Sequence, residues 1–181
     1  RDLDIAAILG DTVPSRLDGR LEGSGTLGAP EQTRLVVDAT LDDARYGTLQ
    51  VDTTAVRATL DQGRVDGTGR LRATAGRVDF EFSGRPLGDL PTFDDVSAEF
   101  ADLDLGALTG DTASTLSTRL TGSLTGSVAG ITPEALDGGF EVRLDSSRVA
   151  HQTFIGSRAT INLNEGNVDL RAAIQFPDSG G

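Results

Sequence analysis

Gly23-Ser24-Gly25-Thr26-Leu27-Gly28 has the spacing of a dinucleotide-binding glycine loop. Such a loop works because a helix follows at once and aims its amino end at the pyrophosphate. Here Ala29-Pro30 follows, a strand pattern begins soon after, and the second half of the chain does not keep the spacing. The glycines therefore read as the habit of a Gly-rich chain. The single histidine, His151, lies near Asp145 and several serines, but a nucleophilic triad needs a serine on a sharp elbow and no G-x-S-x-G occurs. His151 reads as a surface or turn residue. The many aspartates raise calcium, yet neither the nine-residue glycine-aspartate repeat of a calcium β-roll nor an EF-hand loop is present. Asp11 and Asp111, beside glycines, read as turn formers that bond local backbone. Carboxylate pairs for glycoside chemistry need an organised cleft, whereas Asp and Glu here fall in turns or at the polar phase of strands. No catalytic residue, metal site or cofactor is assigned, and the chain is expected not to be an enzyme.

The elements behind these residues have a period of two. Leu35, Val37, Ala39 and Leu41 alternate with polar residues, and so do Val56, Ala58, Leu60 and Val78, Phe80, Phe82. Phe140, Val142, Leu144 and Ala159, Ile161, Leu163 continue the habit. Such alternation marks strands with one dry and one wet face, and it points to antiparallel pairing. Turn signals stand at Asp18-Gly19, Gln62-Gly63, Asp137-Gly138-Gly139 and Glu165-Gly166, which suits a meander of hairpins. A dozen or more strands are expected. Gly67, Gly69, Gly122 and Gly126 fall inside strand patterns, where a missing side chain permits a bulge, a bend or close backbone approach. Short helical turns are expected at Ile5–Leu9, Gly106–Leu108 and Pro133–Leu136, and Arg85–Asp95, with Pro86 and Pro91, reads as a connection.

The sequence also repeats itself. Asp2-Leu3-Asp4-Ile5 with Gly10-Asp11-Thr12 returns as Asp102-Leu103-Asp104-Leu105 with Gly110-Asp111-Thr112. Arg57-Ala58-Thr59-Leu60 returns as Arg158-Ala159-Thr160-Ile161. The offset drifts only from 99 (Leu21 to Leu120) to 103 (Gly63 to Gly166). The expectation is a single array over 1–181, with one repeat over about 1–100 and another over about 101–181, each covering its neighbour's apolar face.

Composition narrows the partners. The 181 residues carry a net charge of −12 and 16 basic residues, all Arg, so the positive field that nucleic acid or an anionic bilayer surface requires is missing. Hydrophobic residues make up 37%, enough for a layer buried on one side but thin for a compact core. There is no Cys, hence no disulfide or thiolate site, and no apolar stretch approaches the roughly 18 residues of a membrane-spanning helix.

Three stretches together carry a family cadence: Ala101-Asp102-Leu103-Asp104-Leu105-Gly106-Ala107-Leu108-Thr109-Gly110, then Leu120-Thr121-Gly122-Ser123-Leu124-Thr125-Gly126, then Pro133-Glu134-Ala135-Leu136-Asp137-Gly138-Gly139. With Leu17 to Leu27 in the first half, they resemble the AsmA-like and TamB proteins over nearly the whole chain. That resemblance implies an all-β fold: an elongated, strongly curved antiparallel sheet, a taco-like trough with an apolar interior. It implies a segment of a periplasm-spanning protein that conducts lipid toward the outer membrane and supports outer-membrane assembly in a Gram-negative bacterium. The parent would be anchored in the inner membrane. The sequence holds neither that anchor nor the family's terminal region, so the chain is expected to be a piece of a longer protein. Expected partners are phospholipid acyl chains and, through another part of the parent, an outer-membrane β-barrel protein, with no nucleic acid.

On this reading the groove-lining candidates are Val37, Leu41, Val56, Leu60, Val78, Phe80, Phe82, Phe140, Val142, Leu144, Ile161, Leu163, Val168 and Leu170. Small residues such as Ala39, Ala58, Ala159 and Ala172 would keep the groove open. Two alternatives remain: a structural β-stalk or adhesin repeat with a fully packed core, and an enzyme or polar-ligand domain with a pocket of titratable groups.

Overall fold

The computed structural model describes residues 15–29, 32–46, 49–87, 90–109, 117–130, 132 and 135–177. Alternating apolar and polar residues give each segment one face to bury, and antiparallel hairpins bring those faces to one side. The result is a single ten-stranded sheet in sequence order. Its strands are β1 (Ser15–Thr26), β2 (Arg34–Tyr46), β3 (Leu49–Asp61), β4 (Arg64–Ala73) and β5 (Gly76–Arg85). They continue as β6 (Thr92–Leu103), β7 (Thr118–Ala129), β8 (Asp137–Val149), β9 (Gln152–Asn164) and β10 (Asn167–Ala173). Every neighbouring pair is antiparallel, and the sheet is open, with β1 paired only to β2 and β10 only to β9.

Among the described residues there are ten strands against the dozen expected, and two of the turn signals are absorbed into strands. Asp18-Gly19 lies inside β1, next to a register shift between Arg16 and Asp18, and Asp137-Gly138-Gly139 opens β8. Gly19 serves as a site of close approach: a Cβ there would stand 2.4 Å from the Thr40 carbonyl oxygen of β2. The other two signals do turn the chain. Gln62-Gly63 and Glu165-Gly166 have φ of 52° and 78°, and of 46° and 80°. Positive φ at both central residues is the two-residue hairpin turn that matches strand twist. His151 sits in the β8–β9 turn and is exposed.

Bulges keep the apolar phase facing one way where the sequence breaks alternation. In β6 the register shifts across Asp94-Asp95, so Phe93 pairs with Gly84 and Val96 with Phe82, and both keep the same face. Asp102, at φ 56°, takes up a second extra residue before Leu103 meets Leu120. Asp43, at φ 52°, plays that part where β2 carries one residue more than β1 between Asp42 and Arg45, and aspartate tolerates this left-handed backbone better than most residues.

The connection between β6 and β7 contains the short helix α1 (Leu105–Thr109). Asp104 starts it, its carboxylate accepting from the N–H groups of Gly106 at 2.9 Å and Ala107 at 3.3 Å. Beyond β7 the Ala135 N–H donates to the Thr132 carbonyl at 3.0 Å; Pro133 and Glu134 of the expected turn lie outside the described residues, as does Ile5–Leu9.

Among the described residues all ten strands lie in this one sheet, and the closest contacts run between neighbouring strands and from α1 to β7. Accordingly, only Ala44 and Ala75 of those residues are both apolar and buried.

Candidate functional site: the apolar face of the sheet

Pairing registers convert the period of two into four rows of side chains running across the strands on one face. The Phe80 row reads Leu21, Ala39, Val56, Gly69, Phe80, Ala98, Leu124, Val142, Ala159, Ala172. The Phe82 row beside it reads Gly23, Val37, Ala58, Gly67, Phe82, Val96, Gly126, Phe140, Ile161, Leu170. Toward one end of the strands lies the Phe93 row, with Leu35, Leu60, Val65, Val128, Leu163 and Val168. Toward the other lies the Val78 row, with Leu41, Thr54, Leu71, Phe100 and Leu144.

All the residues singled out from the sequence fall in these rows. Val56, Phe80 and Val142 share one; Val37, Phe82, Phe140, Ile161 and Leu170 share the next; Leu60, Leu163 and Val168 share the third; Leu41, Val78 and Leu144 share the fourth. Most are half-buried, packed only against neighbours of the same face, while Val168 and Leu170 on edge strand β10 are 67% and 64% exposed.

The rows are neither flat nor uniform. Glycines of β4 leave notches that the aromatics of β5 fill: a Cβ on Gly69 would meet the Phe80 ring at 2.2 Å, and one on Gly67 the Phe82 ring at 2.3 Å. Phe80 and Phe82 stack with ring centroids 6.4 Å apart, and Phe82 meets Phe93 edge-on at 6.0 Å. Such ring pairs add to the gain from area alone. Two hydroxyls interrupt the face in the Val78 row: Thr54, occluded between Leu41 and Leu71 without a hydrogen-bond partner, and Ser157, buried across from Leu144 and accepting from the Gln175 N–H at 3.0 Å.

Phe93, Val96, Phe100, Leu103 and Leu120 are residues of this face that alternation alone missed. The bulges at Asp94-Asp95 and Asp102 break the period just where these residues stand. Leu71 and Val65 were hidden by the glycines between them. Two apolar residues enclosing a doubled Asp is the signal that would have recovered β6.

The opposite face is a lattice of ions and hydroxyls. Directly paired residues Arg34 and Asp61 meet at 2.9 Å, and Arg57 and Asp38 at 3.7 Å. Arg70 donates to Asp79, which Arg77 also approaches at 3.5 Å. The Arg70 hydrogen bond holds the Asp79 carboxyl below the usual carboxylate range, and that of Arg143 does the same for Glu141. These groups are exposed and contribute little to stability.

A hollow of about 930 Å³ opens over β2 to β7. Its walls are Asp38, Arg57, Thr68, Glu81, Ser97 and Thr125 on one side and Thr40, Arg70, Asp79, Glu99 and Ser123 on the other. Between these walls the hollow is also lined by Ala39, Val56, Gly69, Phe80, Ala98 and Leu124 of the Phe80 row. Among the described residues no cluster of acids or histidine is arranged to hold a metal, and no helix is long and apolar enough to cross a membrane.

No protein-family model, curated protein or solved structure matches the chain.

Proposed function

We propose that the apolar face carries lipid acyl chains, and that the chain is a segment of a longer periplasmic protein conducting lipid toward the outer membrane. The observation that carries the reading is a four-row apolar surface spanning the sheet with no second layer over it among the described residues. A methylene transferred from water gains about 0.8 kcal/mol, so a long acyl chain would gain on the order of 10 kcal/mol before its ordering costs. Such contacts have no direction, which lets a chain slide without stopping at a polar site.

The expected trough, curved around its apolar side, belongs to this proposal. The bulges of β2 against β1, of β3 against β4, of β6 at Asp102 and of β8 against β7, toward the strand ends near α1, supply places where the sheet can bend. The two-repeat organisation is supported by strand lengths of 12, 13 and 13 residues in both β1–β3 and β7–β9. It is supported too by like turns at Gln62-Gly63 and Glu165-Gly166, 165 − 62 = 103 positions apart. A stalk with a filled core is the weaker reading, because the described residues bury only two alanines.

Photo-crosslinking in cells tests the proposal. A crosslinker at Phe82, Val142 or Ile161 should capture lipid, while Glu81, Glu141 or Asn162, one residue away and on the other face, should capture little. Equal capture on both faces, or none on either, would overturn it. The Val142→Arg variant should lower lipid transport more than expression, since it puts a charge in the path.

A further inference from the structure

We infer that Gly67 and Gly69 set the clearance of the lipid path over β4 and β5, by letting the rings of Phe80 and Phe82 lie down on the sheet. The inference rests on the reading of the apolar face as that path. A strand side chain ordinarily stands roughly perpendicular to its sheet. Phe80 and Phe82 instead reach across to the glycines they pair with directly. The Phe80 Cζ stands 2.2 Å from where a Cβ of Gly69 would be, and the Phe82 Cζ 2.3 Å from where one of Gly67 would be. Each ring therefore lies over β4 and does not stand off β5, and Gly67 is buried beneath its ring. The two rings keep the same tilt, with 20° between their planes. Beyond the glycines the rows continue with Val56 and Ala58, and beyond the rings with Ala98 and Val96. The two middle rows thus cross β3 to β6 without a tall side chain.

The ring is the reason for glycine at both positions. Neither Gly67 nor Gly69 has a positive φ, and the three atoms nearest a Cβ at each are all ring carbons. Gly84, Gly122 and Gly126 are different: there the nearest atom is a carbonyl oxygen of the next strand, 2.1, 1.9 and 2.2 Å away. A carbonyl in a paired strand moves only if the strands part, whereas a ring turns about its side-chain torsions. Alanine at 67 and 69 would accordingly leave the pairing of β4 with β5 intact and lift both rings upright. They would then rise from the Phe80 and Phe82 rows, the middle two of the four. An acyl chain crossing β4 and β5 would meet two raised rings in place of a level floor.

Titration of the 181-residue chain with the fluorescent fatty acid cis-parinaric acid tests it, with far-ultraviolet circular dichroism and urea titration reporting the fold. The wild type should bind the probe, and its Gly67 and Gly69 Hα resonances should lie upfield, in the ring currents of the phenyl groups over them. G67A/G69A should keep the fold and bind about tenfold more weakly, the loss of contact with about two methylenes. G67A/G69A/F80L/F82L should recover the affinity, since leucine puts no ring in the path. If the rings served only to hold the sheet together, that variant would bind worse than G67A/G69A. Unchanged affinity in G67A/G69A overturns the inference and leaves the lipid reading standing, as does a quadruple variant that recovers nothing. A G67A/G69A chain that fails to fold overturns it too, because the rings then cannot leave their seats, and so do glycine resonances at ordinary shifts. A wild type that binds no probe overturns the lipid reading and this inference with it.

Discussion

Thr54 shows how much one polar atom weighs on a face this thin. Its hydroxyl lies among leucines without a partner, and an occluded group left unsatisfied costs about 1–3 kcal/mol. Valine has nearly the same shape, so Thr54→Val should raise stability by about 1 kcal/mol in a urea titration. A loss of stability would show that the hydroxyl is bonded in solution. On the other face Asp79 is a different case. The Arg70 hydrogen bond lowers its folded-state pKa; desolvation, the next largest cause, opposes it, and the charges of Arg70, Arg77 and Arg72 add to the lowering. A lowered carboxylate favours the fold above its unfolded-state pKa, and that contribution fades as pH falls through the ordinary carboxylate range toward the folded value. In Arg70→Met, therefore, Asp79 should titrate higher, as followed by the NMR shift of its side-chain carboxyl carbon. An unchanged titration would mean that the pair does not persist in water. At this scale the sequence was informative about types and silent about partners: alternation marks Asp79 as outward, but only register places it across from Arg70.

At the scale of the strand, glycine decides how closely neighbours approach. Gly84 of β5 is buried, and a Cβ there would stand 2.1 Å from the Thr92 carbonyl oxygen of β6, a backbone atom that cannot swing aside. Gly84→Ala should cost about 1–3 kcal/mol, since β5 and β6 must part to admit it. Gly23 of β1 meets nothing nearer than the Val36 carbonyl oxygen at 3.8 Å. Gly23→Ala should then be neutral or slightly stabilising, through the reduced freedom of the unfolded chain. Equal costs in denaturant titrations would refute this account of the inter-strand spacing. The same glycines explain which elements could be read in advance. β2, β3, β5, β8 and β9 carry clean alternation and were legible almost whole, whereas β4 and β7 are interrupted by glycine and β6 by its doubled Asp. Asp18-Gly19 looks like a hairpin because turn chemistry is local, yet strand pairing over β1 and β2 outweighs it. The apolar face was legible for a stronger reason: in a meander every strand shows the same side, so alternation alone assigns faces. The hollow was not, because its shape depends on how strands twist past one another.

The whole molecule is a one-dimensional stack in which each strand is held by its two neighbours and the edge strands by one. Among the described residues the substantial backbone contacts of each strand are with the strands beside it. Stability should then be lowest at the ends and highest inside, as in repeat proteins where local and nearest-neighbour terms add. Hydrogen exchange should find the slowest amides in β4 to β7 and the fastest in β1 and β10, whose side chains are also the most exposed. The boundary expected between repeats near residue 100 does not interrupt this stack, for β6 crosses it and pairs with β5 on one side and β7 on the other. Residues on either side of it should accordingly unfold together. Placing the Gly84→Ala strain in the β5–β6 pair tests this directly. If the sheet is one cooperative array, that change should lower protection in β2–β4 and in β7–β9 alike. If exchange speeds up on one side only, the two halves are separate folding units that share a sheet and no more.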